Sequence, residues 1–128
     1  MSMLKLTPNL LVEDVNRTLK FYRDVLGFDT IMTVPVEGEY NWALMNNGGV
    51  LLMFQAQESL AEEISSHLKG KIGGSFTLYI NVEDIKSLYE RVREKVEIVQ
   101  ELYTTVYGTS EFSIRDINGY ILTFSQSS

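Results

Sequence analysis

The chain has 128 residues and a net charge of −6, which argues against a surface for nucleic acid or for an anionic membrane. Its lack of cysteine excludes disulfides, cysteine–metal sites and thiol nucleophiles. It contains no stretch that resembles a signal peptide or that is long and apolar enough to cross a bilayer, so we expect a cytoplasmic protein.

The first half predicts a strand, a helix and three more strands. Residues 4–11 alternate between two faces, although Pro8 cannot donate to a sheet and points to an edge or a local break. Asp14 is a good N-cap for an amphipathic helix that Gly27 would end. Further strands are predicted over residues 28–36, 40–45 and 50–55, with a turn at 37–39 and a hairpin at 46–49.

The second half predicts the same order after a linker. Leu60, Ile64 and Leu68 lie at four-residue spacing, which predicts a short helix within residues 57–74. A strand over residues 75–81 is followed by a helix from Asp84 to about Lys95. The remaining strands are predicted over residues 96–102, 109–115 and 120–126, the last two joined by a hairpin at 116–119.

The two halves are copies of one unit. Val12-Glu13-Asp14-Val15 returns seventy positions later as Val82-Glu83-Asp84-Ile85. At the same offset, residues 48–54 lie over residues 118–124. Two matches at one offset indicate an internal repeat of the order β-α-β-β-β.

This arrangement resembles the vicinal oxygen chelate superfamily, which includes glyoxalase I, extradiol dioxygenases, and the fosfomycin- and bleomycin-resistance proteins. Residues 21–28 (FYRDVLGF) are similar to the family signature FY-x-x-x-LGF. Residues 107–120 (YGTSEFSIRDINGY) are similar to YG-x-x-EF-x-x-RDP-x-GY, with Ile117 in place of the usual proline. The resemblance implies an α+β fold: one domain over residues 1–128, in which two tandem βαβββ units (1–56 and 75–128) form curled half-barrel sheets around a cavity.

The resemblance also implies where a metal would bind. Metal-dependent members place His or Glu on the first and fourth strands of each unit, and those positions fall on Thr7, Met53, Thr77 and Thr123. A threonine hydroxyl or a thioether is a poor ligand for a divalent transition metal. The single histidine, His67, lies in the predicted linker helix. We therefore expect no metal site, no cofactor and no catalytic residue of the metal-dependent kind.

Without a metal site, the resemblance still implies a cavity that could bind a ligand. Residues two apart on a strand share a face, so Leu51, Ile121 and Ser125 should also lie on the cavity wall. The predicted ligand-binding residues are neutral polar, thioether or aromatic side chains: Thr7, Asn9, Trp42, Met53, Gln55, Thr77, Tyr79, Tyr103, Tyr107 and Thr123. Aromatic faces stack well on planar ligands, although ordinary core or dimer packing is an equal alternative for each aromatic residue.

Glu111 and Arg115 are spaced to share one face of a strand. We prefer the interpretation that they belong to a surface salt-bridge ladder or a dimer interface. A polar contact at the mouth of the cavity is the alternative.

Three functions are compatible with these residues. The preferred one is a metal-free binding protein rather than an enzyme, which sequesters or carries an aromatic or amphipathic molecule such as an antibiotic. The second is a glyoxalase-like lyase or dioxygenase with an unrecognised metal site, or one that uses a carboxylate such as Glu111. The third is a structural or regulatory protein with a filled cavity. The resemblance further implies a homodimer.

Overall fold

A computed structural model shows two units, each with a helix packed on a four-stranded sheet. It describes residues 2–59, 72–74 and 76–127. The chain divides into Met1–Gly70 and Lys71–Ser128, which we call unit 1 and unit 2. The order β-α-β-β-β occurs in both units, so the predicted α+β class and tandem βαβββ units are confirmed.

The elements of unit 1 are β1 (Asn9–Val12), α1 (Val15–Asp24), β2 (Asp29–Val34), β3 (Trp42–Asn47) and β4 (Val50–Ala56). The elements of unit 2 are β5 (Thr77–Asn81), α2 (Ile85–Val92), β6 (Glu97–Thr104), β7 (Thr109–Arg115) and β8 (Ile121–Ser127). The strand orders are β1-β4-β3-β2 and β5-β8-β7-β6. The β1–β4 and β5–β8 pairs are parallel and the other pairs antiparallel, so each sheet is open with two edge strands.

Most of the predicted linker helix, including Leu60, Ile64, Leu68 and His67, lies outside the described residues. The described part of that segment begins with a short 3-10 turn at Gln57–Ser59. No helix within the described ranges has the length and apolar character needed to span a membrane.

The repeat is visible in the pairing of the strands. Asn9 faces Met53 in unit 1, and the residues seventy positions later, Tyr79 and Thr123, face each other in unit 2. The hairpins differ by one residue, because Asn46 faces Leu51 whereas Arg115 faces Ile121. The two units therefore share one backbone plan with a slightly longer second hairpin.

Both helices begin at the predicted N-caps. The carboxylate of Asp14 accepts the backbone N–H of Arg17 at 3.0 Å, and that of Asp84 accepts the N–H of Ser87 at 3.2 Å. These bonds satisfy N–H groups that a helix cannot pair internally. Gly27, with a φ of 74°, lies just beyond α1 as predicted.

Aromatic contacts attach each helix to its sheet. The ring centroid of Tyr22 lies 4.8 Å from that of Phe54, and that of Tyr89 lies 5.0 Å from that of Phe112. Tyr89 also donates its hydroxyl to the Glu101 carboxylate, and this hydrogen bond, together with burial, raises the pKa of Tyr89. Each helix therefore covers one face of its own sheet.

Several predicted boundaries differ from the structure, and three of them have a local physical reason. β1 begins at Asn9 rather than at residue 4, because Pro8 has no N–H to donate to a neighbouring strand. The carbonyl of Pro8 still accepts the N–H of Met53 at 2.8 Å. β2 ends at Val34 because a proline follows. α2 ends at Val92 rather than near Lys95, since the next three residues are charged and exposed and have no apolar side chain to bury.

Asp116 holds the β7–β8 hairpin. Its side chain is buried, and Oδ1 accepts the backbone N–H groups of Asn118 and Tyr120, each at 2.8 Å. The backbone N–H of Asp116 donates to the carbonyl of Tyr120 at 2.8 Å. One carboxylate oxygen thus satisfies two turn N–H groups.

We expect Asp116→Ala to lower the free energy of unfolding by about 2 kcal/mol, because two N–H groups lose their acceptor. Asp116→Asn keeps an oxygen at the same place and should lose clearly less. Urea unfolding followed by circular dichroism measures both. Equal losses for the two variants would contradict the assigned role of the oxygen.

Candidate functional site

The face of the unit 2 sheet opposite α2 carries most of the polar side chains of its strands. Leu122, Phe124 and Phe112 are buried on the α2 side, and side chains alternate along a strand. The other side, which we call the helix-free face, therefore carries three rows of facing residues. They are Thr77, Ile121, Arg115 and Glu97; then Tyr79, Thr123, Ser113 and Gln100; then Ser125, Glu111 and Tyr103, with Asn81 beside Ser125.

Glu111 is the centre of a hydrogen-bond network on this face. Its Oε2 accepts the hydroxyl of Tyr79 at 2.7 Å and those of Thr109 and Ser125 at 3.2 Å each. Ser125 is buried and Glu111 half-buried. Within the described ranges Glu111 forms no ion pair. Three hydroxyls converge on one oxygen and hold the carboxylate in a fixed position without a cation.

Thr123 lies in the middle row. Its hydroxyl is 2.8 Å from that of Ser113 on the facing strand. This pair is neutral, with one hydroxyl donating to the other. Thr77, one row away, is exposed.

Arg115 occupies the other end of β7 from Thr109 and Glu111. Its Nε donates to Glu97 Oε2 at 3.0 Å, and Nη1 donates to the carbonyl of Gly119 at 3.4 Å. The predicted salt-bridge interpretation therefore describes Arg115, whose partner is on β6. For Glu111 the structure shows hydroxyl donors instead.

The helix-free face of unit 1 is less polar. Asn9, Met53 and Leu44 form one row, and Gln55 faces Trp42 in the next. Asn9 Nδ2 donates to Gln55 Oε1 at 2.9 Å. Trp42 is half-buried.

Of the three remaining predicted residues, Tyr103 lies in a row of the helix-free face of unit 2, and Thr7 and Tyr107 do not. Thr7 is half-buried and precedes β1, so it is outside the sheet. Tyr103 faces Glu111 and its side chain is 45% exposed. Tyr107 is 89% exposed in the turn between β6 and β7, away from the three rows.

The sequence prediction did not include Glu111 or Ser113 among the binding residues. The predicted loop at 116–119 would pair Ser113 with Leu122, whereas the loop at 116–120 in the structure pairs Ser113 with Thr123 and Glu111 with Ser125. The contact between Tyr79 and Glu111 had no local signal in the sequence. In the part of the chain that the structure describes, no group of three or more His, Cys, Asp or Glu is placed to hold a metal ion.

The profile of the Glyoxalase/Bleomycin resistance protein/Dioxygenase superfamily matches residues 6–124. The uncharacterized protein YraH of Bacillus subtilis is 33% identical over 89 residues, which are 67% of each chain.

Solved structures with low identity are also similar. TioX from Micromonospora sp. ML1 has a TM-score of 0.79 and 20% identity, over 98% of this chain and 100% of that one. A bleomycin-binding protein from Streptomyces verticillus, complexed with copper(II)-bleomycin, has a TM-score of 0.66 and 20% identity, over 100% of this chain and 98% of that one. At such identities the likeness shows the fold alone.

A double-mutant cycle tests the Glu111 network. We expect Tyr79→Phe to cost about 1 kcal/mol of unfolding free energy and Glu111→Ala about 2 kcal/mol, because the latter leaves a buried serine hydroxyl without its acceptor. The double variant should lose less than the sum by about 1 kcal/mol, since both changes break the same bond. Tyr103→Phe, on the same face, is the control and should change stability little. Strict additivity of the first two changes would refute the network.

Proposed function

The chain belongs to the Glyoxalase/Bleomycin resistance protein/Dioxygenase superfamily, and from that premise we propose that it is a metal-free protein that binds a small aromatic or amphipathic organic molecule. It sequesters or carries this molecule without turnover. The proposal rests above all on the chemistry at Thr123.

Thr123 falls where metal-dependent members of the family place a metal ligand. Its hydroxyl is bonded to Ser113 at 2.8 Å, so a neutral group with a neutral partner stands at this position. Thr77 and, in unit 1, Thr7 and Met53 offer nothing better, because hydroxyls and thioethers are weak ligands for divalent transition metals. This donor set favours binding of an organic molecule over metal-assisted lyase or dioxygenase chemistry.

The helix-free face of unit 2 has the composition of an organic-ligand surface. Tyr79 and Tyr103 are 58% and 45% exposed and flank the fixed carboxylate of Glu111. Aromatic rings supply contact area, and a few fixed polar groups orient the ligand. The structural similarity to a protein complexed with copper(II)-bleomycin supports an amphipathic, antibiotic-like ligand. The expected homodimer and the cytoplasmic location are parts of the same proposal.

The main alternative is a metal-dependent lyase or dioxygenase, and elemental analysis separates it from our proposal. We expect protein purified without chelator to hold far less than one equivalent of zinc, nickel, manganese or iron. EDTA should change neither its melting temperature nor its ligand binding, because a metal-free protein has no tight site to be emptied. One tightly held equivalent of any of these metals would end the proposal.

Trp42 is the single tryptophan, so its fluorescence reports on the helix-free face of unit 1. We expect saturable quenching with at least one member of a panel of planar aromatic compounds that includes bleomycin. The same compound should raise the melting temperature, since it binds only the folded state. Trp42→Ala should weaken binding by up to about tenfold, and Trp42→Phe, which keeps a ring, by less. A panel that causes neither quenching nor a thermal shift would favour a structural role.

A further inference from the structure

Unit 2 contains a pocket of about 420 Å³ at the Arg115 end of its helix-free face. Its walls combine one guanidinium, one hydroxyl, two apolar side chains and the backbone of three glycines: Arg115, Thr77, Phe76, Ile121, Gly73, Gly74 and Gly119. A volume of this size accepts a small organic molecule. The apolar walls suit a hydrocarbon or aromatic group, and the guanidinium suits an oxyanion.

Arg115 is the only lysine or arginine in the eight described strands. Its Nε–H donates to Glu97, and one Nη1–H donates to the carbonyl of Gly119. A guanidinium carries five N–H groups in a planar fork. Within the described chain the Nη2 groups donate to no protein acceptor, and the side chain is 41% exposed. The fork is therefore fixed in position and still has donors to offer.

Two glycines shape the wall beside Arg115. A Cβ on Gly73 would lie 3.0 Å from the carbonyl oxygen of Gly119, the same oxygen that Arg115 binds. A Cβ on Gly74 would lie 2.7 Å from the ring of Phe76. Glycine at both positions lets the 72–74 turn approach the β7–β8 hairpin and lets the ring lie against it.

We infer that this pocket binds the carboxylate of an aromatic organic acid, with Arg115 holding the carboxylate and Phe76 and Ile121 contacting the ring. The inference rests on the proposed small-molecule function and names the class of its ligand. A planar carboxylate matches the guanidinium fork. Glu97 already supplies one negative charge to Arg115, so a singly charged carboxylate is favoured over a doubly charged phosphate.

The position of the pocket also keeps the acid away from Glu111. Four residues along β7 separate Glu111 from Arg115, a distance of about 13 Å at the rise of a strand. The neutral Ser113–Thr123 pair lies between them. A ligand with its carboxylate at Arg115 and its ring against Phe76 and Ile121 therefore lies apart from the Glu111 carboxylate.

The test compares phenylacetate with phenylacetamide, its uncharged isostere, by NMR titration of the isotopically labelled full chain. We expect phenylacetate to shift the amide signals of Gly73, Gly74 and Gly119 and to bind about tenfold or more tightly than the amide. Phenyl phosphate should bind more weakly than phenylacetate. Arg115→Gln should lower phenylacetate affinity about tenfold or more and leave the amide unaffected.

Three further variants separate ligand binding from a structural role. Arg91→Gln removes the same charge from the exposed surface of α2 and should leave both affinities unchanged. Arg115→Lys keeps the charge without the fork and should weaken phenylacetate binding even where Arg115→Gln proves unstable. Glu97→Gln removes the competing carboxylate and should keep or strengthen phenylacetate binding.

Equal binding of the acid and the amide would overturn the inference, as would no binding of phenylacetate at millimolar concentration. An equal loss of phenylacetate binding in Arg115→Gln and Glu97→Gln would show that Arg115 has only a structural role, and would also overturn the inference. None of these outcomes affects the Trp42 titration, which tests small-molecule binding independently of the charge of the ligand.

Discussion

A single helix covers one face of each four-stranded sheet, and the pairing register decides which side chains it covers. In unit 2 the Tyr89 ring on Phe112 and the Phe112 ring on Phe124 fix the helix side. A slip of one residue would send these rings to the opposite face, so the register is strongly specified by burial. The same register brings Ser113 beside Thr123 and Glu111 beside Ser125. The polar face is thus positioned by the apolar core behind it.

The charges on that face are each satisfied locally. Glu111 has three hydroxyl donors and Arg115 has Glu97, so the two charged residues of β7 do not depend on each other. A half-buried carboxylate is costly unless hydrogen bonds replace its water. Here three hydroxyl groups stabilise the Glu111 carboxylate by donating hydrogen bonds to it. The outcome is a face with a carboxylate at one end, a neutral middle and the Arg115–Glu97 ion pair at the far end.

The sequence predicted the order of elements because the signals for it are local. Asp14, Asp84 and Gly27 mark helix ends through their own backbone bonds or conformation, and the repeat supports each half with the other. The alternating pattern alone made the predicted β1 too long at its start. Leu4 and Leu6 fit the pattern of a strand but are 96% and 83% exposed. Local pattern carries no information on whether a partner strand is present.

The site was only partly predictable for a related reason. The register of a hairpin depends on the length of its loop, and the predicted loop at 116–119 is one residue shorter than the loop at 116–120 that pairs Ser113 with Thr123. The parallel β5–β8 pair has no shared turn, and β5 is followed by α2, β6 and β7 before β8 begins. The contact of Tyr79 with Glu111 spans β5 and β7 through this pairing, and only the packed core sets it.

The repeat shows which face was free to change. Seventy positions apart, Leu52 and Leu122 are both buried, as are Phe54 and Phe124, because a helix packs on that side in each unit. On the helix-free faces the equivalent residues differ in kind: Met53 against Thr123, and Asn9 against Tyr79. Core packing constrains only the first set, so side chains of the second set can differ without disturbing the core. The hydroxyl network, the Glu111 carboxylate and Arg115 all lie in unit 2, so the two helix-free faces offer different chemistry.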